Sequence, residues 1–277
     1  MKKLLAIGGI AAIVTAISCQ KEVETTSASE RLVPVTVRAT VPETRVSMPP
    51  EGNQPVWSQG DRIGIFTADK VLCPPFTAQS GGSSGTAFSG EKPEGSVLAT
   101  AFCPYDARVT LDASGLALTL PRSQSGTIAD AVMAGTGNQQ DGFTFRNVCA
   151  LLRMSLPASL DIRKVEVIRD DRVTGPFTLG PDFSISSREP ASYLDKRAEV
   201  AGTPALSGEI LICVLPSSSK RLQMALTRSD GKVAFVDTAF PSGKAYEAGR
   251  IKNLGQAGTS LPFYDAALVG DPAGNQL

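Results

Sequence analysis

Leu32-Val33-Pro34-Val35-Thr36-Val37-Arg38-Ala39-Thr40-Val41 is the stretch from which the fold can be read. Val33, Val35, Val37 and Ala39 alternate with Pro34, Thr36, Arg38 and Thr40. Successive side chains of an extended chain point to opposite faces, so the run predicts a strand with one apolar and one polar face, half-buried in a sheet. Short β-rich runs bounded by turn residues continue outward from it, and helical spacing of apolar residues is almost missing. Trp57-Ser58-Gln59-Gly60-Asp61 leads into Arg62-Ile63-Gly64-Ile65-Phe66, a Gly/Ser loop covers Ser80 to Gly85, and Val97 to Tyr105 reads as a central strand.

Hairpins are expected where turn residues able to take positive φ separate two such runs. Asp112-Ala113-Ser114-Gly115 joins Val109-Thr110-Leu111 to Leu116–Leu120, and Asp230-Gly231 joins Leu222–Arg228 to Lys232–Asp237. Gly180-Pro181-Asp182 stands between Phe177-Thr178-Leu179 and Phe183-Ser184-Ile185. Phe143 to Leu156 reads as one apolar run stopped by Pro157, a second set of strands starts at Lys164–Ile168, Glu209–Leu215 is a buried strand, and Gly249–Leu254 closes the body. About seven short strands per half is the count of a sandwich. The expected fold class is therefore all-β, two tandem β-sandwich domains over 32–158 and 159–255, divided near Pro157 to Arg163 and followed by a tail, 256–277.

The first residues say where the chain goes. Met1-Lys2-Lys3 precedes an apolar run from Leu4 to Ile17 and then Ser18-Cys19. That run is too short for a bilayer, which needs about 20 residues, and it has the charged entry and small-residue end of a cleaved signal. A small residue directly before a cysteine is what a lipoprotein signal peptidase requires, although Ala16 stands where leucine is usual. Residues 1–18 are read as a lipoprotein signal peptide, Cys19 as the lipid-bearing (palmitate-type) N-terminus, and the polar residues 19–31 as a flexible tether.

Composition removes several function classes. Of the 27 basic side chains, 25 remain without Lys2 and Lys3, against 27 acidic ones, so nucleic acid finds no electrostatic footing. Histidine is absent, which excludes Ser-His-Asp and Cys-His catalysis and removes the commonest metal ligand. Cys73, Cys103, Cys149 and Cys213 form no C-x-x-C pair, so zinc is not expected. Their three disulfide pairings cannot be separated by sequence, and the apolar runs around Cys103, Cys149 and Cys213 favour buried thiols. Asp170-Asp171-Arg172 reads as a charged hairpin turn, Asp182 and Glu189 sit among Gly, Pro and Ser, and Asp265 and Asp271 match no calcium loop. An enzyme is not expected, and neither are cofactors or metals. One Trp and four Tyr (Tyr105, Tyr193, Tyr246, Tyr264) supply few platforms for sugar.

The order of several elements resembles the fimbrillin family, the subunits of strand-exchange pili and related surface lipoproteins of anaerobic Gram-negative bacteria. These are Thr44-Arg45 after the first strand, the Trp57–Phe66 element, Ala101–Tyr105, Phe145–Leu152, Leu215-Pro216 and Gly249–Leu254. The Cys19-Gln20-Lys21-Glu22 start is similar to the short acidic export tag of such lipoproteins. The resemblance implies two transthyretin-like sandwich domains and no catalysis. It further implies that a protease cuts after an arginine, that the first strand is lost, and that a segment of another subunit fills the groove. On that reading Leu32–Val41 is the exchanged strand, with Val33, Val35, Val37 and Ala39 as its buried face, and Arg45 is the cleavage residue, ahead of Arg31 and Arg38. The tail, with Leu261, Phe263 and Ala267–Val269 interrupted by Pro262 and Pro272, is a poor donor, which suits a tip, anchor or accessory subunit. The partners implied are other fimbrial subunits by strand addition, the outer membrane through the lipid, and a host or bacterial surface ligand. The alternative is a stand-alone surface lipoprotein that binds glycan or a host ligand.

Overall fold

The computed structural model describes residues 31–41, 56–187, 190, 192, 194–219, 221–239 and 246–266. Twenty strands run through them. The first ten are β1 (Leu32–Thr40), β2 (Arg62–Thr67), β3 (Phe76–Ala78), β4 (Gly85–Pro93), β5 (Leu98–Cys103), β6 (Thr110–Asp112), β7 (Gly115–Leu120), β8 (Ser123–Gln124), β9 (Met133–Asn138) and β10 (Gly142–Asn147). The second ten are β11 (Ala150–Leu156), β12 (Ile162–Ile168), β13 (Gly175–Leu179), β14 (Ile185–Ser186), β15 (Arg197–Leu206), β16 (Gly208–Val214), β17 (Arg221–Arg228), β18 (Lys232–Ala239), β19 (Ile251–Gln256) and β20 (Tyr264–Asp265). Helical structure among the described residues is limited to three single 3₁₀ turns, Ile128–Asp130, Ala158–Leu160 and Leu194–Lys196. The protein is all-β, as its alternation predicts.

Seven strands in the order β1-β10-β9-β5-β2-β3-β4 close on themselves, because β4 pairs with β1, so the sheets of the first expected sandwich join along both edges into a closed barrel. Beyond it lie a three-stranded sheet (β16-β11-β19), a six-stranded sheet (β20-β18-β17-β12-β15-β8) and a four-stranded sheet (β14-β13-β7-β6). Core side chains fall into three main clusters. One fills the barrel around Trp57, Phe76, Phe88 and Phe145. A second lies between the three-stranded and six-stranded sheets, around Leu152, Ile212, Val165 and Leu226. The third joins Phe66 and Phe102 of the barrel to Leu118, Phe177, Leu151 and Leu215.

The apolar run Phe143–Leu156 is two strands instead of one. Phe143 and Phe145 of β10 face the barrel core, Cys149 and Leu151 face the third cluster, and Ala150, Leu152, Met154 and Leu156 of β11 face the second. Each stretch is apolar because it enters a different core, and between them Val148 donates its N–H to the Val132 carbonyl at 2.9 Å as the chain leaves the barrel. The anticipated break near Pro157 to Arg163 lies between β11 and β12. Pairing crosses it, since β11 bonds to β16 and β19, β7 to β13 and β8 to β15. The start of the tail is tied in as well, with Tyr264 and Asp265 opposite Val233 and Lys232.

The hairpins fall where turn chemistry puts them. Leu111 faces Leu116 and Thr227 faces Val233. Gly115, at φ +128°, cannot be replaced without cost, since a Cβ there would stand 2.0 Å from the Leu179 carbonyl oxygen. In the third hairpin the pairing begins only at Ile185, opposite Leu179, and continues with Ser186 opposite Thr178. Phe183 takes a positive φ of 65° and belongs to the turn, where Asp182 accepts the Ser184 N–H at 3.0 Å.

Candidate functional site: the first strand and its seat

β1 lies antiparallel to β4 over its whole length, from Leu32 opposite Pro93 to Thr40 opposite Gly85. On its other side it meets β10 only at Ala39 and Thr40, in parallel, opposite Phe143 and Thr144. Pro34, which has no N–H to give a ladder, is tolerated because this part of β1 has a neighbour on one side only. Val35, Val37, Ala39 and Val41 are buried and Val33 half-buried, so the predicted apolar face is the inner one, weakest at its start.

The floor beneath β1 is aromatic. Val37 stands opposite Phe88. Trp57 packs edge-on against Phe88 and Phe145, with ring centroids 4.9 and 5.4 Å away, and is 2% exposed. Its Nε1 donates to the Ala39 carbonyl at 3.2 Å, so this buried ring also holds the strand by its backbone. Farther along, Val41 donates its N–H to Ser84 O at 2.8 Å, and Thr40 Oγ1 donates to Phe143 O at 3.4 Å. On the outer face Thr36 and Ser89 hydroxyls meet at 3.0 Å. Gly90 of β4 leaves room for Phe76, whose ring carbon Cγ would lie 2.7 Å from an added Cβ.

Topology separates β1 from the other barrel strands. It is the first of them in the chain, and residues 42–55 are its sole covalent link to the rest of the barrel. Taking it away would unpair the edge of β4 along nine positions and open the seats of Val35, Val37, Ala39 and Val41 onto Trp57, Phe88 and Phe145. Such a groove is satisfied by an extended segment with apolar side chains at alternate positions.

No family model matches this chain, and no curated protein does. Solved structures do. One is a candidate cell adhesion protein from Bacteroides uniformis ATCC 8492, with TM-score 0.52 and 16% identity, over 84% of this chain and 97% of that one. Another is a candidate cell adhesion protein from Bacteroides ovatus ATCC 8483, with TM-score 0.53 and 11% identity, over 84% and 96%. This chain shares their fold. The tip fimbrial protein Mfa3 from Porphyromonas gingivalis, with a C-terminal truncation, superimposes more loosely, at TM-score 0.40 and 12% identity over 84% and 98%. At such identities the likeness to the Bacteroides adhesion structures is one of fold, and residue roles must come from this chain itself.

Cys19 and Arg45, the expected lipidation and cleavage residues, lie outside the described residues, as do Tyr193, Glu189 and Asp271. Arg31 and Arg38 are exposed, Arg38 on the outer face of β1. The Asp170–Arg172 segment is more than a solvated turn. Asp171 pairs with the buried Arg169 at 2.8 Å and accepts the Ser217 hydroxyl, while Arg172, with its side chain 10% exposed, pairs with Asp195 at 3.0 Å. Arg169 also stacks over Tyr246, 5.0 Å from the ring centroid, and burial lowers its pKa. Tyr264 is exposed, Tyr105 is covered by Arg62 at 4.9 Å, and Tyr246 is buried. Among the described residues no group of three or more His, Cys, Asp or Glu is placed to hold a metal, and no helix is long and apolar enough to cross a membrane. Cys73, Cys149 and Cys213 are buried thiols and Cys103 is half-buried. Burial pushes Cys73 up to about 11 and Cys103 to about 12.

Sequence reasoning missed two parts of this site. β4 escapes because Gly85-Thr86-Ala87-Phe88-Ser89-Gly90 shows weak apolar alternation and two glycines. The Trp57 hydrogen bond escapes because nothing local joins residue 57 to residue 39; the signal that was available is a lone tryptophan beside a turn.

Proposed function

We propose that this protein is an adhesive subunit of a cell-surface fibre, at a tip, anchor or accessory position, exported as a precursor lipidated at Cys19 and assembled by exchange of β1 after cleavage at Arg45. One observation carries the reading: the first strand is attached through a single connection, lies antiparallel to β4 over nine positions, and seats Val35, Val37, Ala39 and Val41 on an aromatic floor. Burying those four side chains contributes on the order of 5 kcal/mol before entropy is subtracted, enough to hold the strand and modest enough for another segment to replace. The shared fold with Bacteroides cell adhesion structures supports the adhesive part of the reading. Its partners are then other fimbrial subunits by strand addition, the outer membrane through the lipid, and a surface ligand.

The test is proteolytic. An arginine-specific protease should release residues 20–45 from the soluble chain, after which the remainder oligomerises or captures an extended peptide, while Arg45→Ala remains intact and monomeric. Cys19→Ala should abolish labelling by a fatty-acid analogue. A cut protein, freed of β1, that stays monomeric and takes up no strand from a co-expressed subunit would instead make this a stand-alone surface lipoprotein.

A further inference from the structure

The antiparallel pair β11–β16 divides its side chains between two cores. Ala150, Leu152, Ile212 and Val214 enter one, and Cys149, Leu151, Cys213 and Leu215 the other. Leu151 stands opposite Cys213, and Cys149 lies two residues ahead of Leu151, in the bend that leads into β11. Cys149 and Cys213 thus enter the same core, on the side that holds Leu151 and Leu215. A disulfide joins residues whose Cα atoms lie within about 7 Å and whose side chains point toward one another. The Cys149 and Cys213 side chains are direct neighbours in that core.

Both cysteines are held in place by groups other than sulfur. The Gln124 side chain brackets Cys213, its Nε2 donating to the Cys213 carbonyl at 2.8 Å and its Oε1 accepting the Cys213 N–H at 2.7 Å. Gly126 accepts the Leu211 N–H at 2.9 Å, so the segment after β8 covers the outer edge of β16. The Cys149 carbonyl accepts the Gly249 N–H at 2.9 Å. Cys149 and Cys213 are 1% and 0% exposed.

The geometry points to a disulfide between Cys149 and Cys213, formed in the exported protein by exchange with a small-molecule or protein disulfide. One cysteine thiolate attacks a sulfur of the incoming disulfide and expels its other half as a thiol. The second cysteine then attacks the mixed disulfide and expels the remaining half. Two electrons and two protons pass to the incoming disulfide, and one S–S bond joins β11 to β16. Because neither sulfur is open to solvent in the folded state, exchange takes place while β16 docks, and the finished bond is shielded from later reductants. It would staple the strand that leaves the barrel to the sheet that receives it, at the core shared by both.

The soluble chain from residue 20, refolded with oxidised and reduced glutathione, denatured in an alkylating agent and digested with trypsin, should yield Asn147–Arg153 linked to Ala198–Lys220, and the link should vanish on reduction. Oxidised wild type should melt roughly 5 to 10 °C above its reduced form, while Cys149→Ala/Cys213→Ala shows no response to reductant. Peptide mapping of wild type decides the matter even if the double variant folds poorly. Full alkylation of both cysteines after oxidative refolding, or a link from either one to Cys73 or Cys103, overturns the inference.

Discussion

Val37→Ala tests whether β1 is a separately releasable element. Val37 is 1% exposed and sits opposite Phe88. Losing two methyl groups from a close-packed seat costs about 2 kcal/mol, the transfer of two carbons plus the residual cavity. Since β1 hangs from one connection, that cost should fall on its local opening and leave the rest of the barrel nearly untouched. The opening equilibrium of β1 should then rise about 30-fold, at 1.4 kcal/mol per factor of ten. Native-state hydrogen exchange resolved by residue reads this directly. Amides of Thr36 to Thr40 that exchange by local opening should lose about that factor of protection, while those of β5 and β9, which do not pair with β1, keep theirs. An unchanged β1, or an equal loss in β5 and β9, would mean that β1 opens only with the whole barrel and would refute the reasoning behind strand release.

Further outcomes follow from other contacts. Trp57→Phe keeps most of the ring packing but deletes the donor to Ala39 O, and should lower stability by about 1 to 2 kcal/mol, measured as a drop in the urea midpoint. Gly115→Ala puts a Cβ against Leu179 O at positive φ and should cost on the order of 3 kcal/mol, seen as a large fall in Tm or loss of soluble protein; a Tm within about 1 °C of wild type would contradict the geometry. The raised values for Cys73, about 11, and Cys103, about 12, keep both thiols protonated at pH 8. Aromatic disulfide reagents should therefore leave them untouched in the native protein at pH 8 and react fully once it is unfolded.

The alternation of Leu32–Val41, the turn residues at Asp112–Gly115 and Asp230-Gly231, and the near absence of helical spacing were enough to predict an all-β chain and two of its hairpins. These signals are local: side-chain period and allowed φ depend on neighbours in sequence. The same locality is why Phe143–Leu156 read as one strand, since an apolar run looks alike whether it enters one core or three. Cys149 and Cys213 could be read singly as core residues, but only the folded chain brings them into one core.

Sequence by itself settled that the chain is all-β, which face of β1 turns inward, and that histidine chemistry is unavailable. Tertiary structure alone decided that β4 is the partner of β1, that the first sheet closes into a barrel, and that strands on either side of residue 158 share sheets. The physical reason is that a strand's pairing is satisfied by any edge of matching register, so the partner is chosen by how several apolar faces pack at once, a property of the folded chain and of no segment within it.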